Sequence, residues 1–356
     1  MAHRRFTPSS NAPRILIAPL RFVGDMVLSL PLVEGLRWAY PNAHIGVLAS
    51  PLNAPLAQHY PGVDSVVIEA PHLSARWRQL AGWEALISCR QSWTLPLLAK
   101  LAGVGFVSGF DRQRFPLSQL GERGFCRSGW LLDAVAPYPP TALTSRPPHQ
   151  VVAQWELLTP FWPNLSQPPP PPSALHGQPT TSLPQPLTDL LDALPTGQKR
   201  VLFHAFSGSG SKALPLETFL PACQALIDQG FSLIATGVHH DRPALEAFAK
   251  KLQAPKPSAP VPFVISAGHT QLGHLATLAS QCQGFLGVDS GPVHVAAACG
   301  ITRFVVAYGP THPLQWGPYG VDITLAPVHY PVHCSPNTSI EELPLKLKDA
   351  ALATLV

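Results

Sequence analysis

Three short segments carry side chains able to do chemistry on an anionic, hydroxyl-rich ligand. The first, Leu20-Arg21-Phe22-Val23-Gly24-Asp25, puts a carboxylate directly after a glycine. There Asp25 can cap the helix that follows, since Asp is a preferred N-cap, or take a proton as a general base. The second, Phe206-Ser207-Gly208-Ser209-Gly210-Ser211-Lys212, combines small residues with one cation. Backbone N–H groups of such a loop can approach an anion closely, so Ser207, Ser209 and Lys212 are candidate ligand contacts. The loop lacks the Gly-Lys-Ser/Thr ending of a P-loop, and it also reads as a flexible surface turn. The third runs from Gly287 to Ala298. Asp289 can accept hydrogen bonds from ligand hydroxyls. Ser290 and Gly291 offer free amides at a helix start, where the helix dipole favours a phosphate. Pro292 suits the first helical turn. His294 falls one turn further in, as a ligand contact or as a satisfied, partly buried histidine.

Each segment joins a strand to a helix. Arg14–Ala18 is a short apolar run with β-branched residues, the signature of a buried parallel strand. A helical stretch from Asp25 to Ala39 follows, kinked or restarted at Pro31. His44–Leu48, Val66–Ile68 and Ala85–Ser88 read as further strands of an open parallel sheet. A helix fits from about His149 to Leu158. The β-α rhythm resumes with a strand at Val201–Ala205, a helix over Leu216–Asp228 and a strand over Phe231–Thr236. Helices over Arg242–Leu252 and Leu272–Ser280, a strand over Gly284–Val288, a helix over Pro292–Cys299 and a last strand over Phe304–Ala307 complete it. Between the two halves lies a proline-rich stretch with five consecutive prolines at 168–172, which is semi-rigid and cannot form a core element. The expected organisation is an N-terminal Rossmann-like domain over 1–160, a linker over 161–198, a C-terminal Rossmann-like domain over 199–338 and a closing helix over 339–356. In an open parallel sheet, ligands bind beyond the carboxyl ends of the strands, so all three segments fall on binding edges.

Composition sets outer limits. With 356 residues, 46% of them apolar, the chain can bury two cores. A charge of +4 is too weak to imply nucleic acid. No apolar run reaches the roughly 20 residues of a membrane span, and no signal peptide is legible after Arg4 and Arg5. The six cysteines are scattered without a CxxC pair, the usage of reduced, buried thiols in a cytoplasmic protein. No Asp-x-Asp motif or metal-ligand cluster is visible; His239, His240 and Asp241 read as surface. No metal or other cofactor is expected.

Taken together, residues 15–50 (ILIAPLRFVGDMVLSLPLVEGLRWAYPNAHIGVLAS), the Ser/Gly loop with Lys212 and Pro215, 285–300 (FLGVDSGPVHVAAACG) and 308–320 (YGPTHPLQWGPYG) resemble the ADP-heptose:lipopolysaccharide heptosyltransferase family, glycosyltransferase family nine. The resemblance spans nearly the whole chain. It implies a GT-B fold: α/β, two Rossmann-like domains with parallel sheets facing a central cleft. It implies metal-independent, inverting transfer in lipopolysaccharide biosynthesis, from a nucleotide-sugar donor, ADP-linked, to a glycolipid or glycan acceptor. A peripheral contact with the inner membrane surface, on the cytoplasmic side, fits such an acceptor. By the same analogy Asp25 takes the proton from the acceptor hydroxyl and Lys212 stabilises the leaving diphosphate. Ser290, Gly291 and His294 lie at the diphosphate, and Asp289 holds the donor sugar. Lysine and helix amides can replace a metal ion in that role. Two departures stand out. Ala213 and Leu214 follow Lys212 where many members carry Arg-Trp, and His204-Ala205-Phe206 replaces a His-Pro-Gly-like turn. The alternatives are a non-catalytic nucleotide-sugar binding protein and a GT-B sugar-nucleotide epimerase.

Overall fold

A computed structural model of the chain describes residues 4–111, 131–137, 147–171, 182–254, 260–321, 327–329 and 341–356. The chain divides into two compact units, Met1–Pro171 and Pro172–Val356. Both are parallel α/β sheets.

The first unit has strands β1 (Arg14–Ala18), β2 (His44–Ala49), β3 (Ser65–Ile68), β4 (Ala85–Ser88), β5 (Phe106–Asp111) and β6 (Ala134–Pro137). Their order in the sheet is β3-β2-β1-β4-β5-β6, all neighbours parallel. The connecting helices are α1 (Val23–Ser29), α2 (Pro31–Ala39), α3 (Ala54–Gln58), α4 (Leu73–Leu80) and α5 (Thr94–Leu101), and α6 (Gln150–Trp155) follows β6. The expected helix over 25–39 is thus two helices, with Pro31 at the first position of the second, where its missing N–H costs nothing. The central strands are buried along nearly their whole length because helices cover both sheet faces. One core layer joins Leu16, Leu48, Leu86 and Val107 of the sheet to Leu95 and Ala99 of α5.

The second unit repeats the plan after α7 (Gln185–Asp192). Its strands are β7 (Arg200–His204), β8 (Ser232–Ala235), β9 (Phe263–Ile265), β10 (Gly284–Val288), β11 (Arg303–Tyr308) and β12 (Pro327–His329). They are ordered β12-β11-β10-β7-β8-β9, again parallel. Its helices are α8 (Leu220–Asp228), α9 (Arg242–Ala249), α10 (Leu272–Ala279), α11 (Gly291–Ala298), α12 (Pro313–Trp316) and α13 (Leu343–Leu355). Gly287 is required where β10 passes β7, since a Cβ there would sit 2.0 Å from the His204 carbonyl oxygen. The chain turns at Gly300 (φ +94°), just past α11, in the left-handed region that favours glycine. The closing helix α13 buries Leu343, Leu347, Ala351 and Leu355 in the core built on Phe203, Phe219, Leu226 and Leu286.

The expectation of a linker over 161–198 needs correction. Phe161 is buried in the first unit against Phe6 and Phe106. Further on, α7 buries Leu187 and Leu191, one helical turn apart. Residues 172–181 lie outside the described set. Nor is Phe304–Ala307 the last strand, because β12 pairs with β11 beyond it.

Candidate functional site

In both units the first strand lies beside the fourth, so successive connections leave in opposite directions and open a crevice at the carboxyl ends. In the second unit that switch point falls between β7 and β10. The loop after β7 carries Ser207 to Lys212, the loop after β10 carries Asp289 and Ser290, and the loop after β11 carries Thr311. Three segments distant in sequence therefore meet on one edge.

Their meeting point is Asp289, whose side chain is 3% exposed. Its Oδ2 accepts from Lys212 Nζ at 2.6 Å and from the Thr311 hydroxyl. A buried carboxylate needs such partners to offset its lost hydration. Beside it, burial and the Asp289 charge push the Tyr308 phenol well above its ordinary range. Lys212 is held at the end of a 3-10 turn over Gly210–Lys212. Before it, the Ser209 amide donates to Ser207 Oγ at 3.2 Å, and the Ser209 and Ser211 hydroxyls pair at 2.9 Å. A Cβ at Gly208 or Gly210 would meet nothing within 4 Å, so neither packing nor a positive φ demands glycine at these positions.

The start of α11 lies next to this cluster. Ser290 is its N-cap, but the side chain does not cap the helix; its hydroxyl donates to the Val288 carbonyl at 3.2 Å. The positive end of the dipole and the first-turn amides thus face the same loop edge as Lys212. Gly291 opens the helix, and His294, in its first turn, is 5% exposed. The second unit brings Ser207, Ser209, Lys212, Asp289, Ser290 and Gly291 to one edge, with His294 buried just behind. Thr311 was not singled out in the sequence, although the Gly-Pro-Thr-His-Pro turn after an apolar strand carried the signal.

In the first unit, Asp25 is the third residue of α1, and Phe22 occupies the N-cap position. The carboxylate is therefore not the N-cap; it lies in the first turn, where the dipole favours its charge. Ser29 Oγ donates to the Asp25 backbone carbonyl at 2.8 Å, tying the helix turn together. The same edge holds a cluster of four charged side chains that the sequence reading did not assemble. Glu69, directly after β3, accepts from Arg21 at 3.0 Å and Arg90 at 2.9 Å and forms an ion pair with Arg76 at 3.1 Å. Burial alone would raise the Glu69 carboxyl, but the Arg90, Arg21 and Arg76 guanidiniums together hold it below the ordinary value. Arg90 also donates to Pro19 O at 2.7 Å and Leu48 O at 3.3 Å, which braces the ends of β1 and β2 around the α1 entrance.

Among the described residues, no group of three or more His, Cys, Asp or Glu side chains could hold a metal ion. Cys89, Cys223, Cys282 and Cys299 are free and buried, and burial raises each thiol, to about 12 for Cys89, Cys282 and Cys299. Cys126 and Cys334 lie outside the described residues.

Comparison with known proteins adds to this geometry. The family model for glycosyltransferase family 9 (heptosyltransferase) matches residues 138–345. The chain is 28% identical over 323 residues to lipopolysaccharide heptosyltransferase 2 of Salmonella typhimurium, 84% of each chain being covered. It is 25% identical over 308 residues to lipooligosaccharide heptosyltransferase 2 of Haemophilus ducreyi, again over 84% of each. The structure of the Escherichia coli ADP-heptose lipopolysaccharide heptosyltransferase II matches with a TM-score of 0.65 at 20% identity, covering 95% of this chain and 98% of that one. At that identity the likeness is one of fold: two parallel-sheet α/β units of GT-B type.

Proposed function

We infer the reaction from one premise: this chain belongs to glycosyltransferase family 9, the heptosyltransferases. We propose that it moves a heptose or a similar sugar from an ADP-linked donor to a lipopolysaccharide-type acceptor, with inversion at the anomeric carbon. The observation that carries this reading is the Lys212–Asp289–Thr311 cluster beside the start of α11, at the switch point of the second sheet.

In this mechanism the donor diphosphate occupies the edge between the 207–212 loop and the first turn of α11. Asp25 accepts the proton of the acceptor hydroxyl, and that oxygen attacks the anomeric carbon from the face opposite the diphosphate. The bond from the anomeric carbon to the diphosphate oxygen breaks, and ADP leaves with the bonding pair. Negative charge grows on the leaving oxygens in the transition state, where Lys212 and the helix amides stabilise it. Asp289 holds Lys212 in place and is poised to accept from sugar hydroxyls. No metal takes part.

The test is transfer from ADP-, UDP- and GDP-linked sugars to a lipopolysaccharide-core acceptor in EDTA, with the anomer read by NMR. Inverted product from the ADP-linked sugar is expected. Product of retained configuration, or activity restored only by magnesium or manganese, contradicts the mechanism.

A further inference from the structure

Helix α6 places amides where its packing calls for apolar side chains. Gln150, Gln154, Leu157 and Leu158 fall at spacings of three and four, so they share one stripe, with Glu156 and Thr159 exposed on the other side. The stripe runs through α6 and the 3-10 turn Glu156–Leu158 that continues it. All four of its residues are at most 1% exposed. Among the described residues, no group bonds to either carboxamide: Oε1 and Nε2 of Gln150 and of Gln154 are all buried and unpaired. Unpaired polar atoms are strongly destabilising in an interior, and each one in a native protein calls for an explanation. Leucine at both positions would avoid that cost, so the two glutamines break a local rule in the way that marks functional positions.

The neighbours of α6 locate this pair. Trp155 and Leu158 seat on Gly35 of α2, where a Cβ would come within 2.3 Å of Leu158 and 2.7 Å of Trp155. Ser108 of β5 donates to the Leu157 carbonyl at 3.0 Å, and Phe161 packs on Phe106, the first residue of β5. The chain from Gln150 to Phe161 therefore descends the sheet from its carboxyl edge to its amino edge. α1 and then α2 descend beside it, and α6 packs against both. Trp155 and Leu158 meet α2, so Gln150 and Gln154, the upper part of the stripe, are the part nearest α1, which carries Asp25 in its first turn. Ser29 of α1, one turn after Asp25, is a polar side chain buried on that helix, and its hydroxyl donates to the Asp25 carbonyl at 2.8 Å.

We propose that Gln150 and Gln154 hold ordered water between α6 and α1, and that this layer positions the Asp25 carboxylate for the acceptor hydroxyl. A buried water makes about three hydrogen bonds, and two carboxamides one turn apart supply both donors and acceptors for it. The Ser29 oxygen, its proton committed to the Asp25 carbonyl, keeps an acceptor site for the same layer. Hydrogen bonds are directional, so a water layer fixes the register of α1 on α6 more sharply than apolar contact does. The two glutamines are positioning residues that act through α1, and the inference rests on Asp25 as the base.

The test combines a high-resolution crystal structure of the full chain with variants in the transfer assay. The crystal should show water within about 3.2 Å of both carboxamides. Gln150→Met/Gln154→Met keeps the side-chain length and removes the hydrogen bonds. This double variant should not raise the melting temperature. Well below melting, its kcat should fall on the order of tenfold, with ADP affinity and acceptor KM unchanged. Gln154→Met alone should move kcat in the same direction by less, and it carries the test if the double variant does not fold. Carboxamides without water in the crystal would overturn the proposal, and so would a raised melting temperature, the result expected when amides that had no partner are removed. Wild-type kcat in the variants would make the pair purely structural, and a raised acceptor KM with kcat intact would make the amides acceptor contacts; either result overturns it as well. If Asp25→Asn keeps its turnover, the reading of the base fails, whereas the water and the melting temperature still report on the glutamines.

Discussion

The Lys212 ammonium and the Asp289 carboxylate form a 2.6 Å ion pair at the switch point of the second sheet, with the carboxylate buried and the lysine side chain 22% exposed. The pair joins the loop after β7 to the loop after β10. It leaves the lysine neutralised on its inner side and open on its outer side, where a diphosphate would compete for it. Substitutions at this point therefore act on stability and on catalysis together, and the two effects must be separated.

Lys212→Ala should lower turnover by more than donor affinity, because leaving-group charge develops mainly in the transition state. The expected loss is on the order of a hundredfold, about 3 kcal/mol. The same change strands a buried carboxylate, which destabilises strongly. The double variant Lys212→Met/Asp289→Asn should restore much of the melting temperature without restoring turnover. Thermal denaturation and saturation kinetics on both variants check this; a double variant that regains turnover would remove the lysine from the reaction.

Thr311 shares the Asp289 oxygen with Lys212. Thr311→Val should weaken the hold on that carboxylate and lower kcat several-fold, while Thr311→Ser, which keeps the hydroxyl, should stay near wild type. A purely steric role for the threonine would reverse the order. Comparing kcat and KM for the two variants decides it.

Gly208 and Gly210 sit in open space without positive φ, so Gly210→Ala should leave stability within about 0.5 kcal/mol of wild type. If the loop backbone cradles a diphosphate, ADP affinity should fall measurably in that variant. Gly291→Val should do the same at the helix start. Calorimetric titration with ADP reads both. Unchanged affinity in the two variants would move the donor elsewhere.

His204 supplies a pH dependence. Its Nδ1 lies 2.9 Å from Thr236 Oγ1, and burial is the main cause that depresses the ring from an ordinary 6.5 to about 4. As pH falls below about 6.5 the unfolded chain takes up this proton and the folded chain does not, so the unfolded state gains. The contribution is present in full above that pH, declines through the interval and is lost near pH 4. It amounts to no more than about 3 kcal/mol. Urea denaturation across this range should show a shallower loss in His204→Asn than in wild type; parallel curves would contradict the assignment.

Much of this arrangement was legible in the sequence, and the exceptions have physical causes. β1, β2, β10 and β11 announce themselves as apolar runs because helices cover both faces of each sheet. β5 hides because Ser108 and Gly109 interrupt its run, and β9 because it is three residues long. In α7, the Leu187–Leu191 spacing is masked by the prolines around it. The site residues within single segments, Lys212 and Asp289 through Gly291, fall on one edge as local reading suggests. What local reading does not supply is partnership across strands. Thr311 meets Asp289 only because β11 lies beside β10, and Glu69 gathers arginines from three other segments only because the sheet is ordered as it is.

Asp25 carries the central claim, that this chain transfers a glycosyl group using a carboxylate at the first strand–helix junction. Phe22 holds the N-cap position, so Asp25→Asn removes no N-cap, and asparagine keeps a hydrogen-bonding side chain of the same size in the first turn of α1. Asparagine cannot take a proton, and loss of a general base costs roughly 10²–10⁴-fold in rate. The decisive measurement is kcat for transfer by purified Asp25→Asn, alongside its melting temperature and ADP affinity. The account predicts near-native folding and ADP binding, with kcat reduced by at least about a hundredfold. A kcat near the wild-type value would contradict it.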